Sequence, residues 1–307
     1  MQTVYYRNIR SQIFEKIDMP KRGSWIRVVD PTKEELAEIA ESHSLDLDLL
    51  VDGIDLYEAP RIEYVDNILY IYVRYCRPAG EYTSTHPLLI VVTDDMLFTV
   101  SRIESDPISK LVESGKVTTT QKLKTVLQIL EELNRGYRTH LHGVTRKILS
   151  TRSRLQRTIV NNKDILSFID LEEDLNEFLA ALQPYGVLLH ALKNGRYLKL
   201  HEEDKELIED LELSSGELTE LTKSKLKTIQ NMREAYSAIS TNDLNKSFKQ
   251  LTSIAIFLAV PTLIGGMYGM NVLLPFQEDQ NAFWFIMFIT LFIITIFIFI
   301  FRKRRWL

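Results

Sequence analysis

Residues 250–271, QLTSIAIFLAVPTLIGGMYGMN, decide how this chain is read. No charged residue occurs from 250 to 277, and none from 280 to 301; only Glu278 and Asp279 separate the two runs. A bilayer core needs roughly 20 apolar residues per helix, and each run supplies them. The expectation is two membrane helices joined by a short outer loop. Within the first, Thr252, Ala255, Ala259, Thr262, Gly266 and Gly269 follow one another at steps of 3, 4, 3, 4 and 3. That spacing puts small or hydroxyl residues on one helix face, and extending it backwards adds Phe248 and Asn245. Ile254, Phe257, Leu258, Leu263 and Ile264 fall on the remaining faces. Small residues let helices approach closely, and Gly265-x-x-x-Gly269 fits that reading. The same stripe would also suit copies of the helix arranged around a pore.

The flanks give an orientation. Arg302-Lys303-Arg304-Arg305 follows the second run, whereas the loop from 271 to 281 holds no Lys or Arg. Positive flanks stay cytoplasmic, so both termini and the preceding soluble part are expected in the cytoplasm. At 307 residues the chain has room for a soluble portion as well as a membrane portion. Its net charge of −4, with basic residues otherwise scattered, argues against a nucleic-acid partner. The single cysteine, Cys76, excludes an internal disulfide and reads as a buried thiol in a strand. Residues 1–14 hold no apolar core of a cleavable signal peptide.

The first hundred or so residues alternate between strand and helix signals. Residues 24–29 read as a strand, and Asp30-Pro31-Thr32 followed by Glu34 and Glu35 reads as a helix start. Residues 62–76, IEYVDNILYIYVRYC, form a hairpin broken at Asp66-Asn67. Residues 87–92 and 96–101 form a second pair around Asp94-Asp95. After residue 118 the chain reads as helix throughout. Two long amphipathic helices are expected over 119–160 and 164–194, the second carrying Pro184. A third starts near Glu202 and meets only Ser214-Ser215-Gly216, at a cost of about 1 kcal/mol for the glycine, before the membrane. From 202 to 270 it would extend on the order of 100 Å, which calls for a stalk packed against copies of itself.

No catalytic constellation is present. His140-x-His142 has no third ligand at metal spacing, and His201-Glu202-Glu203-Asp204 lacks the second histidine of a zincin helix. There is no Gly-rich Lys-Ser/Thr loop for nucleotide-driven transport.

Tyr268-Gly269-Met270-Asn271, placed where a membrane helix surfaces and a second one follows, resembles the outer pore mouth of the CorA family of divalent-cation channels. The resemblance covers nearly the whole chain. Asn245 with Phe248-Lys249-x-Leu251-Thr252 is similar to that family's Asn…Met-Lys-x-Leu-Thr stretch. Glu58-x-Pro60-Arg61-Ile62-Glu63 resembles its cytoplasmic E-x-P-R/K-V-E signature, and residues 303–307 resemble its basic end. Two departures stand out: Phe248 replaces a methionine, and the loop lacks the Met-Pro-Glu-Leu of well-known members.

The resemblance implies an α+β membrane protein assembled as a homopentamer in the lipid bilayer of the cytoplasmic membrane. Its cytoplasmic α/β/α domain would span 1–118, helical arms 119–200 and a stalk 201–250. A pore helix (251–270), an outer loop (271–281), a second membrane helix (282–301) and a basic tail (302–307) would follow. Gly269, Met270 and Asn271 would be the selectivity filter, and Asn245, Phe248, Leu251, Ala255, Ala259, Thr262 and Gly266 would line the pore. Asp52 and Asp210 would sense cytoplasmic Mg²⁺ between subunits, where crowded carboxylates repel until a cation bridges them. Glu278 and Asp279 would concentrate cations at the entrance. Mg²⁺ is then both cargo and regulator, with no further cofactor.

The chemistry suits that cargo. Magnesium sheds water reluctantly. A ring of amide oxygens can accept hydrogen bonds from its waters and hold it weakly enough to release. A negative-inside potential supplies roughly 2.3 kcal/mol per charge per 100 mV, and about twice that for a dication. Two alternatives remain: a proton-coupled zinc transporter of the ZntB type, and a membrane-tethered sensor that conducts nothing.

Overall fold

The computed structural model describes residues 2–10, 13–79, 82–155, 162–195, 197, 200–272, 274–275, 280–304 and 306. It divides into two compact units, residues 1–232 and 233–307.

The first unit is built on a seven-stranded sheet. In chain order the strands are β1 (Gln2–Tyr6), β2 (Glu15–Ile17), β3 (Trp25–Val29), β4 (Arg61–Val65), β5 (Ile68–Ala79), β6 (Tyr82–Val92) and β7 (Leu97–Ser101). Their spatial order is β2-β1-β3-β7-β6-β5-β4. Every pairing is antiparallel except β3 with β7. The one parallel contact needs a long crossover, which α1 (Lys33–His43), α2 (Leu47–Asp52) and the β4–β6 meander provide.

Helix α1 starts where its sequence directs. Thr32 accepts from the Glu35 amide at 3.2 Å while the Glu35 carboxylate accepts from the Thr32 amide at 2.9 Å, a closed capping box. The hairpin at Asp66-Asn67 also forms as expected. Both residues have positive φ (51° and 63°), the pair of left-handed conformations that a two-residue turn between twisted strands requires.

Strand periodicity gives the sheet two buried faces. Ile26, Val28, Tyr70, Tyr72, Val91, Phe98 and Val100 pack with Leu36, Ile39 and Leu50 of α1 and α2. The opposite face, with Trp25, Ile71, Tyr75 and Ile90, is also buried; α4 (Lys122–Leu155) and α5 (Asn162–Lys193) lie against β5 and β6. Strand β6 begins at Tyr82, five residues earlier than its apolar run. Its pairing with β7 reaches only Leu88. Beyond that point α5 supplies acceptors: Asp174 takes the Thr83 amide (3.1 Å) and Glu177 the Thr85 amide (2.5 Å). The short elements β1, β2, α2 and α3 (Asp106–Ser114) are additions to the sequence reading.

Helix α6 runs from Glu202 to Tyr268 without a break at Gly216 or Pro261, and α7 from Ala282 to Lys303. Each is long and apolar enough, by length and composition, to cross a membrane.

Candidate functional site

In the second unit, α6 ends one residue before the Gly-Met-Asn sequence. The Gly269 amide still donates to the Gly265 carbonyl (3.0 Å) and the Met270 amide to that of Met267 (3.2 Å). A Cβ at position 269 would stand 3.4 and 3.5 Å from the carbonyls of Gly265 and Gly266. A side chain there would make only ordinary contacts, so space within the single chain does not by itself demand the glycine. Met270 and Asn271 follow, both exposed on the chain. Tyr268 donates its hydroxyl to the Pro275 carbonyl at 3.2 Å and ties down the loop behind the motif. Glu278 and Asp279 lie outside the described residues.

The small-residue stripe can be placed against α7. Ser253 is buried, and Ile256, Phe257, Val260 and Ile264 are half-buried. The rings of Phe257 and Phe301 lie 5.7 Å apart. Pro261, Ile264, Gly265 and Tyr268 share a groove with Phe283, Ile286 and Met287 of α7. At 3.6 residues per turn this face and the stripe Thr252, Ala255, Ala259, Thr262, Gly266 and Gly269 are separated by roughly 180°. The stripe is therefore turned away from α7, and all six of its residues are exposed on the single chain, as are Asn245, Phe248 and Leu251. The same face continues towards the N-terminus through Thr241, Ala238 and Glu234, which the sequence reading did not include.

The hydroxyls on the stripe are oriented by the helix itself. Thr252 donates to the Phe248 carbonyl and Thr262 to that of Leu258, each at 2.8 Å. Their protons are spent inside the helix, so what they offer outward is acceptor lone pairs. A hydrated cation presents water hydrogens, and an acceptor-only surface matches it.

In the first unit, Asp52 closes α2 and Arg61 opens β4. The Arg61 guanidinium donates to three carboxylates: Asp52 at 2.9 Å through Nη2, Glu63 at 2.7 Å through Nε, and Glu58 through Nη1. It also lies 3.9 Å over the centre of the Tyr72 ring. The E-x-P-R-I-E sequence thus folds around its own arginine, an arrangement the one-dimensional pattern could not show. Asp210, on α6, is exposed and forms no ion pair among the described residues. Its neighbours are committed: Glu209 and Glu212 pair with Lys193 of α5 (3.1 and 3.5 Å), and Glu212 with His190. Among the described residues no three His, Cys, Asp or Glu side chains converge to hold a metal ion within one chain. His140 and His142 both lie on α4.

Comparison with known proteins covers both units. The family model of the CorA-like Mg²⁺ transporter protein matches residues 20–303. The cobalt/magnesium transport protein CorA of Methanocaldococcus jannaschii is 27% identical over 92% of this chain and 91% of its own. The complete structure of the CorA magnesium transporter from that organism superposes with a TM-score of 0.88 at 25% identity, covering 100% of this chain and 99% of the other. The cytoplasmic domain of ZntB from Vibrio parahaemolyticus shares the fold (TM-score 0.63, 10% identity, 78% of this chain and 98% of its own).

Proposed function

This chain belongs to the CorA-like Mg²⁺ transporter family, and from that premise we propose that it forms a passive, potential-driven Mg²⁺ channel of the cell membrane. Copies of the chain, five by the family's resemblance, would surround an axis on to which α6 turns its small face. Asn271, Met270 and Gly269 would form the outer filter. Asn245, Phe248, Leu251, Ala255, Ala259, Thr262 and Gly266 would line the conduit below it. Both termini would be cytoplasmic.

One observation carries the reading: the Gly-Met-Asn sequence ends a helix whose small, acceptor-presenting stripe faces away from α7, the other helix apolar enough to cross a membrane among the described residues. A two-helix hairpin that needed close packing only with itself would turn its small residues towards α7. Here Phe257, Pro261 and Ile264, interspersed with Ser253 and Gly265, make up the face towards α7, and the continuous small stripe is left for other copies. Uncharged amide and hydroxyl acceptors would bind the hydrated ion weakly and pass it on. Closure would follow when cytoplasmic Mg²⁺ bridges Asp52 of one subunit and Asp210 of the next, relieving carboxylate repulsion.

The test is Mg²⁺ influx into proteoliposomes under a negative-inside potential. Influx that depends on the potential, is lost in Asn271→Ala and is suppressed by Mg²⁺ on the cytoplasmic-domain side supports the proposal. Zn²⁺ uptake that rises with a proton gradient, without Mg²⁺ influx, would assign the chain to proton-coupled zinc transport. No flux of either ion would leave a membrane-tethered sensor.

A further inference from the structure

We infer that Arg61 is a resident counter-cation of the ion sensor, competing with Mg²⁺ for the Asp52 carboxylate and thereby setting the concentration at which the channel closes. This rests on the proposed role of Asp52 and goes beyond it by naming the residue that tunes the response.

The geometry is specific. Arg61 is a first-strand residue of β4 at the edge of the sheet, and it reaches Asp52, nine positions earlier, at 2.9 Å. Glu63 and Glu58 take its other nitrogens. Three carboxylates on one guanidinium leave two negative charges, the complement of a divalent ion. A planar fork that meets three acceptors at once is something arginine does and lysine does not.

The arginine is also held in place from below. It stacks on Tyr72, a ring that is only 2% exposed. The Tyr72 hydroxyl donates to the Leu49 carbonyl of α2 at 2.8 Å. The platform under the guanidinium is therefore fastened to the same short helix that carries Asp52. Cation and carboxylate keep their registry because one buried tyrosine touches both elements.

The exposure pattern points to competition and not to a sealed structural bridge. The Glu58 side chain is 16% exposed, whereas Asp52 is 45% exposed. Glu58 and the tyrosine anchor the arginine from the protein side, and Asp52 is the most solvent-open of the three, ahead of Glu63 at 34%. A cation arriving at Asp52 meets a fixed positive charge already bonded to one of its oxygens. Like charges at such separations weaken binding. The sensor is thus held to a low affinity, which suits a site that must stay empty until internal Mg²⁺ has risen.

The competition predicts opposite effects for two neighbouring substitutions. In Arg61→Gln the counter-cation is gone and three carboxylates repel one another, so Mg²⁺ should bind more tightly. In Glu63→Gln a rival for the guanidinium is lost and the cluster carries one negative charge less, so Mg²⁺ should bind more weakly. Arg61→Lys keeps the charge but cannot hold all three acceptors, so its midpoint should fall between those of the parent and Arg61→Gln.

The experiment is the cytoplasmic Mg²⁺ concentration for half-closure, measured by influx into proteoliposomes of the full-length channel, with a thermal melt of each variant. The expected result is a fall of about tenfold for Arg61→Gln, equivalent to about 1.4 kcal/mol, and a rise for Glu63→Gln. Half-closure that is unmoved, or that shifts the same way in both, overturns the inference, since a merely structural corner would be damaged alike by either change. If Arg61→Gln does not fold, Glu63→Gln decides alone: a midpoint that fails to rise refutes the competition. Asp52→Asn separates the two levels of the argument. A parent channel that closes with Mg²⁺ but ignores Asp52→Asn refutes the sensor itself, whereas one that responds to Asp52→Asn and ignores Arg61→Gln refutes only the counter-cation.

Discussion

Phe301→Ala tests which face of α6 is packed and therefore which face is free to line a pore. Phe301 is the one buried residue of α7, at 8% exposure, although it lies at the end of a helix whose other residues are exposed or half-buried. Its ring lies 5.7 Å from Phe257 of α6, 5.9 Å from Phe297 and 5.3 Å from Trp306, the last nearly parallel at 23°. In water, removing a buried phenylalanine costs about 3–5 kcal/mol. In a bilayer the hydrophobic share largely disappears, because acyl chains are as apolar as the side chains they replace. What remains is the loss of three ring contacts, at about 0.5–1.5 kcal/mol each. The expected destabilisation is therefore about 1.5–4.5 kcal/mol. Phe299, two residues earlier and 70% exposed, is the control; its truncation exchanges one apolar neighbour for another and should cost less than about 0.5 kcal/mol. The assay is the midpoint of detergent-induced unfolding of the purified full-length protein. Equal losses at 299 and 301 would refute the packing face, and with it the placement of the stripe on the opposite side.

Ala259→Leu, on the free stripe, should cut Mg²⁺ influx at least tenfold while leaving assembly and melting unchanged, because a ring of larger apolar side chains dewets the conduit; Leu258→Ala, about 100° away, should conduct like the parent. Thr32→Ala removes half of the capping box and should lower the stability of the soluble unit by about 1 kcal/mol, read from a denaturant melt. Asp174 is buried, and its desolvation pushes the carboxyl pKa up. The ionised form is thus disfavoured in the folded state, and stability is greatest below the unfolded value of about 3.9 and falls as pH rises through the raised folded value. Asp174→Asn keeps an acceptor for the Thr83 amide and should raise the melting temperature at pH 7, with the gain vanishing as the medium is acidified towards pH 3. A gain that persists at low pH would rule out the electrostatic cause.

Much of this fold could be read from local signals because those signals are short-range. The helix start at Asp30-Pro31-Thr32, the Asp66-Asn67 turn and the uninterrupted helix from Glu202 each depend on residues a few positions apart, and all appear in the structure, which adds that Thr32 is the cap. The elements that went unread are held by partners far away in sequence. Strand β1 exists because Val4 and Tyr5 pair with Ile26 and Trp25 on one side and with β2 on the other; its five residues carry no decisive pattern of their own. The early start of β6 likewise depends on Asp174 and Glu177, some ninety residues away, accepting amide protons that no strand takes.

The candidate site divides along the same line. The stripe from Thr252 to Gly269 was legible because helical periodicity alone puts those residues on one face. Which way the face points was not, because direction is set by the large residues around it. Phe257 and Ile264 were visible in the sequence only as bulk; against α7 they become the reason that the small face is left uncovered. The acid cluster shows the converse. Glu58 and Glu63 read as the two acids of a signature motif and Asp52 as an acid upstream of it, and nothing in their spacing reveals that one guanidinium satisfies all three. That relation needs α2 and β4 to be brought side by side, which Tyr72 does by stacking under Arg61 and bonding to Leu49. Within the chain, the carboxylate proposed to sense a cation is already bonded to the chain's own arginine, so the charge it would offer to Mg²⁺ is smaller than a count of carboxylates suggests.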